Sequence, residues 1–250
     1  MALEFHITHP FKLKKPVLIE GFPGIGLVGT ISASYLIEKL KMDLAGYITS
    51  DNFPPIAAVH GYAPLYPARI YVSKKHNLIV LISEFIVPLG AIYELAAKIH
   101  EFAKEAGARQ IISLGAIPLR ADGEDMVFAI ASNAKLLAEL ERHHQVKLIK
   151  EGATTGVTGL LLAQGAIEGY PVISFLSQAH EQTMDPQAAS VVLGVLKSYL
   201  SLDFDTSSLL AEAQEMEVKM KDILSKSKAA HAQYKKTAEA GGTDLGAMYG

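Results

Sequence analysis

Residues 17–29 have the sequence VLIEGFPGIGLVG, and this stretch decides the fold class. Its first three residues, Val17–Ile19, are branched and apolar, which is typical of a buried strand. A glycine-rich turn follows and leads into an amphipathic stretch from Leu27 to Leu40, which predicts a helix. A buried strand, a tight turn and a helix together form the repeating unit of α/β proteins.

The same alternation continues along the chain and predicts a sheet covered by helices. Strands are predicted at 17–19, 44–49, 56–60, 69–73, 78–83, 110–114, 126–131, 146–149 and 171–176, and helices at 27–40, 91–106, 133–143, 156–168 and 186–200. Because the strands between Asp43 and Ser83 follow one another without helices, we expect a mixed sheet. The predicted fold class is α/β, a three-layer mixed sheet with helices on both faces, over a core domain of residues 1–203.

The region after the core domain predicts a long helix over residues 204–240. It contains no glycine or proline before Gly241, and its apolar residues recur at alternating spacings of four and three, as in a coiled-coil seam. The helix either packs on its own domain or pairs with copies of itself, and the sequence leaves both possibilities open. The glycine-rich residues 241–250 predict a flexible tail.

Composition excludes several classes of partner. The net charge is −3, and the bases are scattered among acids, so a surface that tracks phosphates has little support. There are no cysteines, which fits a reducing compartment. Glu4 and His6 interrupt any apolar signal segment, and no stretch approaches the ~18 to 20 apolar residues of a membrane span. We expect a cytoplasmic protein that binds neither nucleic acid nor membrane.

The glycine-rich turn matches a dinucleotide-binding spacing. Gly24, Gly26 and Gly29 satisfy G-x-G-x-x-G between a strand and a helix, where free amides could hold a pyrophosphate. The acid that should bind a ribose is not well placed, since Asp43 precedes the second strand and Asp51 lies far past it. The alternative is a structural turn that allows tight packing between strand and helix.

Four acid–base side chains lie at or near strand ends, where α/β enzymes place catalytic groups. They are Glu84, His60, Glu181 and Asp185. They form an acid–base set only if the fold brings them together, and the alternative is a solvated or helix-capping role.

Other catalytic patterns are weak or missing. His143 and His144 are adjacent on a helix end and form a poor chelate, so we expect no metal. Neither a G-x-S-x-G elbow nor a G-x-x-x-x-G-K-[ST] loop occurs. The sequence therefore predicts a protein that is not an enzyme and that has no cofactor.

The chain ends in Met248, Tyr249 and Gly250, an apolar residue and a penultimate tyrosine beside a free carboxylate. On a flexible tail, this tripeptide is expected to sample many positions around the core domain and to enter a crevice in another particle. The alternative is a frayed terminus without a function, which is the usual state of terminal residues.

Three blocks of sequence together resemble a known family. They are residues 21–29, the segment SDNFPP at 50–55, and GATTGVTGLLL at 152–162, which leads on to DPQAA at 185–189. The chain resembles, over about residues 10 to 200, the archaeal homologues of the proteasome assembly chaperones, in the family of the second eukaryotic chaperone subunit.

This resemblance implies a doubly wound α/β domain similar in shape to nucleoside phosphorylases, without established catalysis, that assembles with itself. It also implies a partner, the α-ring face of the 20S proteasome. Family members that bind there carry a hydrophobic-Tyr-any terminus, which Met248, Tyr249 and Gly250 match residue by residue.

The sequence and the resemblance together predict a homo-oligomeric proteasome-binding factor, an assembly chaperone homologue or an activator, that docks its C-terminal tails into the α ring. Two alternatives remain. One is an enzyme or binder of nucleotides or nucleosides that uses the turn at residues 21–29. The other is an oligomeric scaffold whose tail is idle.

Overall fold

The structure is a computed structural model, and it describes residues 3–119, 126–143, 145–181, 183–206, 209, 211, 221–227, 229 and 230. Most of the predicted helix at 204–240 and all of the predicted tail at 241–250 lie outside the described residues. Residues 221–227 are helical. None of the described helices is long and apolar enough to cross a membrane.

Strands and helices alternate along the chain as the hydrophobic pattern predicts. The strands are β1 (Glu4–Ile7), β2 (Val17–Gly21), β3 (Asp43–Thr49), β4 (Ala58–His60), β5 (Ala63–Leu65), β6 (Ala68–Ser73), β7 (Leu78–Ser83), β8 (Gln110–Pro118), β9 (Val127–Ala131), β10 (Val146–Leu148) and β11 (Val172–Ala179). The helices are α1 (Val28–Lys39), α2 (Leu89–Glu105), α3 (Ala134–Leu140), α4 (Gly156–Glu168) and α5 (Pro186–Leu200), and a 3-10 turn at Ile25–Leu27 precedes α1.

A mixed sheet forms the centre of the described structure. Its nine strands lie in the order β1-β3-β6-β7-β2-β8-β11-β9-β10, and β4 and β5 form a separate hairpin. Strand β2 runs parallel to both β7 and β8, and β8 runs parallel to β11. Strands β1, β6 and β9 each pair antiparallel with a neighbour. The predicted mixed sheet is therefore confirmed.

Helices cover both faces of this sheet. Helices α1 and α5 contact each other on one face, and α2 and α4 contact each other on the other. Successive residues of a strand point to opposite faces, so Ile19 packs in the core under α1 and α5, whereas Leu18 packs in the core under α2 and α4. The predicted three-layer α/β architecture is confirmed.

The core extends slightly past α5. Phe204 is buried in the cluster under α1 and α5, and its carbonyl accepts a hydrogen bond from Lys197 Nζ at 2.6 Å. Tyr35 in α1 donates its hydroxyl to the carbonyl of Asp205 at 2.8 Å. The chain that leaves α5 is therefore tied to the domain through residue 205.

Candidate functional site

The candidate site is a cleft of about 1190 Å³ on the α2 and α4 face, at the carboxyl ends of β2 and β8. In open α/β sheets, ligands bind beyond the carboxyl ends of parallel strands. The first turns of α2 and α4 form the sides of the cleft, and Gly24 lies in its wall. Most of the lining is apolar, and it includes Phe22, Ile86, Leu114 and Leu162.

Glu20 is a functional candidate that sequence reasoning missed. It lies in β2, lines the cleft and is 2% exposed. One carboxylate oxygen accepts the Phe22 amide at 2.9 Å, and the other accepts the Ser113 hydroxyl. Both donors are neutral. Glu20 therefore has no cationic hydrogen-bonding partner among the described residues.

The carboxylate belongs to a row of polar side chains across three parallel strands. Glu20 lies in register with Ser113 of β8, and Ser113 lies in register with Ser174 of β11. Ser113 Oγ is 2.8 Å from Thr158 Oγ1 in α4, whereas the buried hydroxyl of Ser174 has no hydrogen-bond partner within the described part of the chain. The available signal was a polar residue inside each mostly apolar strand, but the register between strands cannot be read from a single sequence.

Burial raises the pKa of Glu20 to about 6, because desolvation outweighs the hydrogen bonds from Ser113 and Phe22. Because the folded-state pKa of Glu20 lies above its unfolded value, the contribution of Glu20 to stability is fully present below the unfolded pKa and is lost as the pH rises through about 6. At neutral pH the ionised carboxylate therefore destabilises the fold. Strongly perturbed acids in clefts are candidates for functional groups.

Glu20→Gln tests this electrostatic cost. The amide cannot ionise, so the stability advantage of Glu20→Gln over the wild type should grow by about 2 kcal/mol between pH 4 and pH 8. Urea unfolding of both proteins at the two pH values, at one protein concentration, measures the difference. An advantage that is the same at both values would contradict the raised pKa.

The glycine-rich turn is packed tightly at two of its three predicted positions. Gly26 has φ +61°, and an added Cβ would lie 2.8 Å from Ala179 Cβ and 3.1 Å from Asp185 Cβ. A Cβ at Gly29 would lie 2.5 Å from the Leu114 carbonyl oxygen. The packing alternative accounts for both residues. The pyrophosphate alternative stays a prediction, and Asp185 would place a carboxylate beside any phosphate at Gly26.

Gly29→Ala should lower the free energy of unfolding by about 3 kcal/mol, because the new methyl group overlaps backbone atoms that cannot turn away. Gly24→Ala is the matched control. A Cβ there would meet nothing within 4 Å, and Gly24 has an extended backbone with φ −146°. The free energy of unfolding of Gly24→Ala should differ from that of the wild type by no more than about 0.5 kcal/mol. Equal denaturant midpoints for the two variants would contradict the packing role.

The structure brings two of the predicted acid–base residues together, His60 and Glu84. His60 Nε2 donates to Glu84, at 2.9 Å from Oε1, and the buried Arg69 contacts the same oxygen at 2.8 Å. Burial acts to raise the pKa of Glu84, but the hydrogen bonds and charges of His60 and Arg69 together lower it below its usual value. Sequence reasoning missed Arg69. The three residues tie the β4–β5 hairpin to the central sheet.

The other predicted residues have separate positions. Asp185 caps α5, accepting the Ala188 amide at 3.0 Å, and it also accepts His180 Nδ1 at 2.9 Å. The predicted capping role is confirmed, and these hydrogen bonds outweigh burial and lower the pKa of Asp185. Glu181 is exposed, and the ring of His143 lies 5.3 Å from that of Tyr199.

Two further predictions concern binding groups. The described residues contain no group of three or more His, Asp or Glu side chains able to hold a metal ion. The predicted tail residues Met248, Tyr249 and Gly250 lie outside the described residues, as does His144. Their roles stay predictions.

The fold and the cleft define a doubly wound α/β protein with its cleft at the carboxyl edge of a mixed sheet. The chain belongs to the PAC2 family, whose model matches residues 18–224. The predicted resemblance to archaeal homologues of the proteasome assembly chaperones is confirmed by the relatives that follow.

Three relatives are similar over most of the chain. Pyrococcus furiosus PbaA, an archaeal homologue of a proteasome-assembly chaperone, has 30% identity and a TM-score of 0.79 over 91% of this chain and 100% of its own. Pyrococcus furiosus PbaB, an archaeal proteasome activator, has 28% identity and a TM-score of 0.75 over 89% of this chain and 98% of its own. An uncharacterized protein of Methanocaldococcus jannaschii is 29% identical over 89% of this chain and 91% of its own length. Homology to PbaA and PbaB supports a role related to the proteasome.

Proposed function

We propose that this protein is a non-enzymatic, homo-oligomeric proteasome-binding factor that docks its C-terminal tails into pockets of the 20S α ring. The observation that carries the proposal is the likeness to both PbaA and PbaB across nearly the whole chain. One of these relatives is a homologue of an assembly chaperone and the other is an activator, so the shared feature is the proteasome itself. We place this activity in the cytoplasm.

The chemistry of the terminal tripeptide fits this proposal. Burial of the Met248 side chain in an apolar pocket between ring subunits would contribute about 1.5 to 3 kcal/mol. Tyr249 would add a flat, rigid contact with one hydroxyl group to satisfy. The Gly250 carboxylate would pair with a cation of the pocket, a charge-assisted bond of roughly 1.5 to 3 kcal/mol. After the cost of immobilising the tail, one tripeptide binds weakly.

Oligomerisation is therefore part of the proposed mechanism. Several tails on one particle bind together, because the first contact raises the effective concentration of the others to about the mM range. If residues 241–250 form the predicted flexible coil, ten residues would span roughly 15 to 20 Å on average, so that each tail would have reach without a fixed direction. Affinity then depends on the number of tails that engage at once.

Docking of the tails could serve either proteasome assembly or activation, depending on whether tail binding opens the gate of the ring. A ligand shifts a conformational equilibrium only by its differential affinity for the two states. Tails that bind the open gate more tightly than the closed gate activate finished particles. Tails that bind both equally hold α subunits together without opening the gate.

Capture of purified archaeal 20S particles tests the proposal. The immobilised full chain should retain 20S particles, and a chain lacking residues 248–250 should lose most of that retention, because each tail loses its apolar, aromatic and carboxylate contacts together. Mass measurement of both proteins checks that the oligomer is unchanged. Equal capture by the two chains would remove the tail mechanism, and no capture by either would remove the proteasome as a partner.

A further inference from the structure

The cleft contains a buried negative charge that the rest of the described molecule does not neutralise. At Glu84 the same chain places Arg69 and His60 on the carboxylate, both within 2.9 Å. The two carboxylate oxygens of Glu20 accept hydrogen bonds only from the amide of Phe22 and the hydroxyl of Ser113. A buried carboxylate without a cation is costly, so a cation that enters the cleft has a strong electrostatic reason to bind there.

The direction of the hydrogen bonds extends this negative character to the wall of the cleft. Ser113 has one hydroxyl proton, and it donates that proton to Glu20. The 2.8 Å contact between Ser113 and Thr158 must then be donated by Thr158. Thr158 lines the cleft, and the lone pairs of its hydroxyl oxygen can still accept hydrogen bonds there. With Glu20 ionised, this part of the wall offers acceptors and no side-chain donor.

The charges of the other lining residues limit which further charged groups a ligand can have. Apart from Glu20, the charged residues in the described part of the cleft lining are Lys150 and Glu151, both in the loop before α4. His100 of α2 is on the same face but is not among the lining residues; its Nε2 donates to the Leu161 carbonyl at 3.0 Å, and its buried Nδ1 has no hydrogen-bond partner in the described part of the chain. The lining near Glu20 therefore combines the hydroxyl of Thr158 with apolar residues such as Phe22 and Leu162.

We propose that the cleft binds a small organic cation, an ammonium or protonated amine on an apolar body. The ammonium donates to Glu20 and Thr158, and the apolar body packs against Phe22, Ile86 and Leu162. This site is separate from the C-terminal tail, and it goes beyond proteasome binding. It gives the core domain a ligand function of its own.

Three indole probes with the same apolar body and different charges test the proposal. They are tryptamine, a cation; tryptophol, which is neutral; and indole-3-acetate, an anion. The chain contains no tryptophan, so indole fluorescence reports the probe alone. At about pH 8 the full chain should bind tryptamine with a Kd of about 0.1 to 1 mM, and indole-3-acetate at least about tenfold more weakly.

Two variants locate the binding group. Glu20→Gln should weaken tryptamine binding by about tenfold or more and leave tryptophol binding unchanged, since only the charge is removed. Glu151→Gln removes a carboxylate from the same cleft and is the matched control, with tryptamine binding within about twofold of the wild type. For the wild type, tryptamine affinity should fall as the pH is lowered from about 8 to 5, and this fall should be absent in Glu20→Gln.

The proposal is overturned by any of three results. These are equal binding of the three probes, no saturable tryptamine binding to the full chain, or the same tryptamine Kd for Glu20→Gln and the wild type. Because no proteasome is present in the experiment, each of these results leaves the tail mechanism to its own test.

Discussion

Glu84→Gln is expected to lower the free energy of unfolding by about 3 to 5 kcal/mol. The Arg69 guanidinium is 2.8 Å from Glu84 Oε1, and its side chain is only 5% exposed. Removal of the carboxylate's charge leaves that cation buried with no opposite charge, and the surrounding protein cannot replace the lost hydration. The hydrogen bonds from His60, which hold the β4–β5 hairpin to the sheet, also lose their charged acceptor.

A second substitution distinguishes lost charge pairing from general damage. Adding Arg69→Met to Glu84→Gln removes the stranded cation while it keeps a long apolar stem, so the double variant should regain part of the lost stability. Glu101→Gln is the matched surface control. Glu101 is 2.6 Å from Lys98 Nζ, but both side chains are exposed, and the change should be less than about 1 kcal/mol.

Denaturant unfolding at neutral pH measures these differences. Because the folded-state pKa of Glu84 is lowered, its contribution is present above the usual pKa of glutamate and is lost as the pH falls through the folded-state value. The gap between wild type and Glu84→Gln should therefore narrow in acid. A Glu84→Gln midpoint equal to that of the wild type at neutral pH would contradict a stabilising role for the buried pair.

Local pattern was sufficient to predict most of the fold. The helix at Gly156–Glu168 was predicted with its observed bounds, and Asp185 followed by Pro186 correctly marked the start of α5. Both depend on interactions within a few residues of chain, such as a carboxylate that accepts a nearby amide. The absence of helices between Asp43 and Ser83 was enough to predict a mixed sheet, since strands joined by short connections run antiparallel.

Two short strands were missed. The segment at Glu4–Ile7 alternates polar and apolar residues only over a short run and is exposed or half-buried, and it forms a strand by pairing with β3 more than 35 residues away. The short strand at Ala63–Leu65 contains Pro64 and forms only opposite β4. In both cases pairing with a partner strand completes a signal that is short or weak in the local sequence.

The candidate site was predicted only in part, because convergence depends on strand order. Sequence placed His60 and Glu84 in loops and at strand ends but could not show that they meet, and it gave no reason to select Arg69 within an apolar strand. Glu20 was overlooked for a similar reason. Its neighbours in β2 are apolar, and its role appears only when β8 brings Ser113 alongside and α4 adds Thr158.

The most direct test of the proposed function is the Kd of the oligomer for immobilised 20S particles, measured for the wild type and for Tyr249→Ala. In the proposed mechanism several tails bind at once, so a loss repeated in every tail should weaken binding by about 100-fold or more, with oligomer mass and unfolding midpoint unchanged. Tyr249→Phe, which keeps the ring and loses one hydroxyl, should remain within about tenfold of the wild type. An unchanged Kd for Tyr249→Ala on an intact oligomer would contradict tail docking.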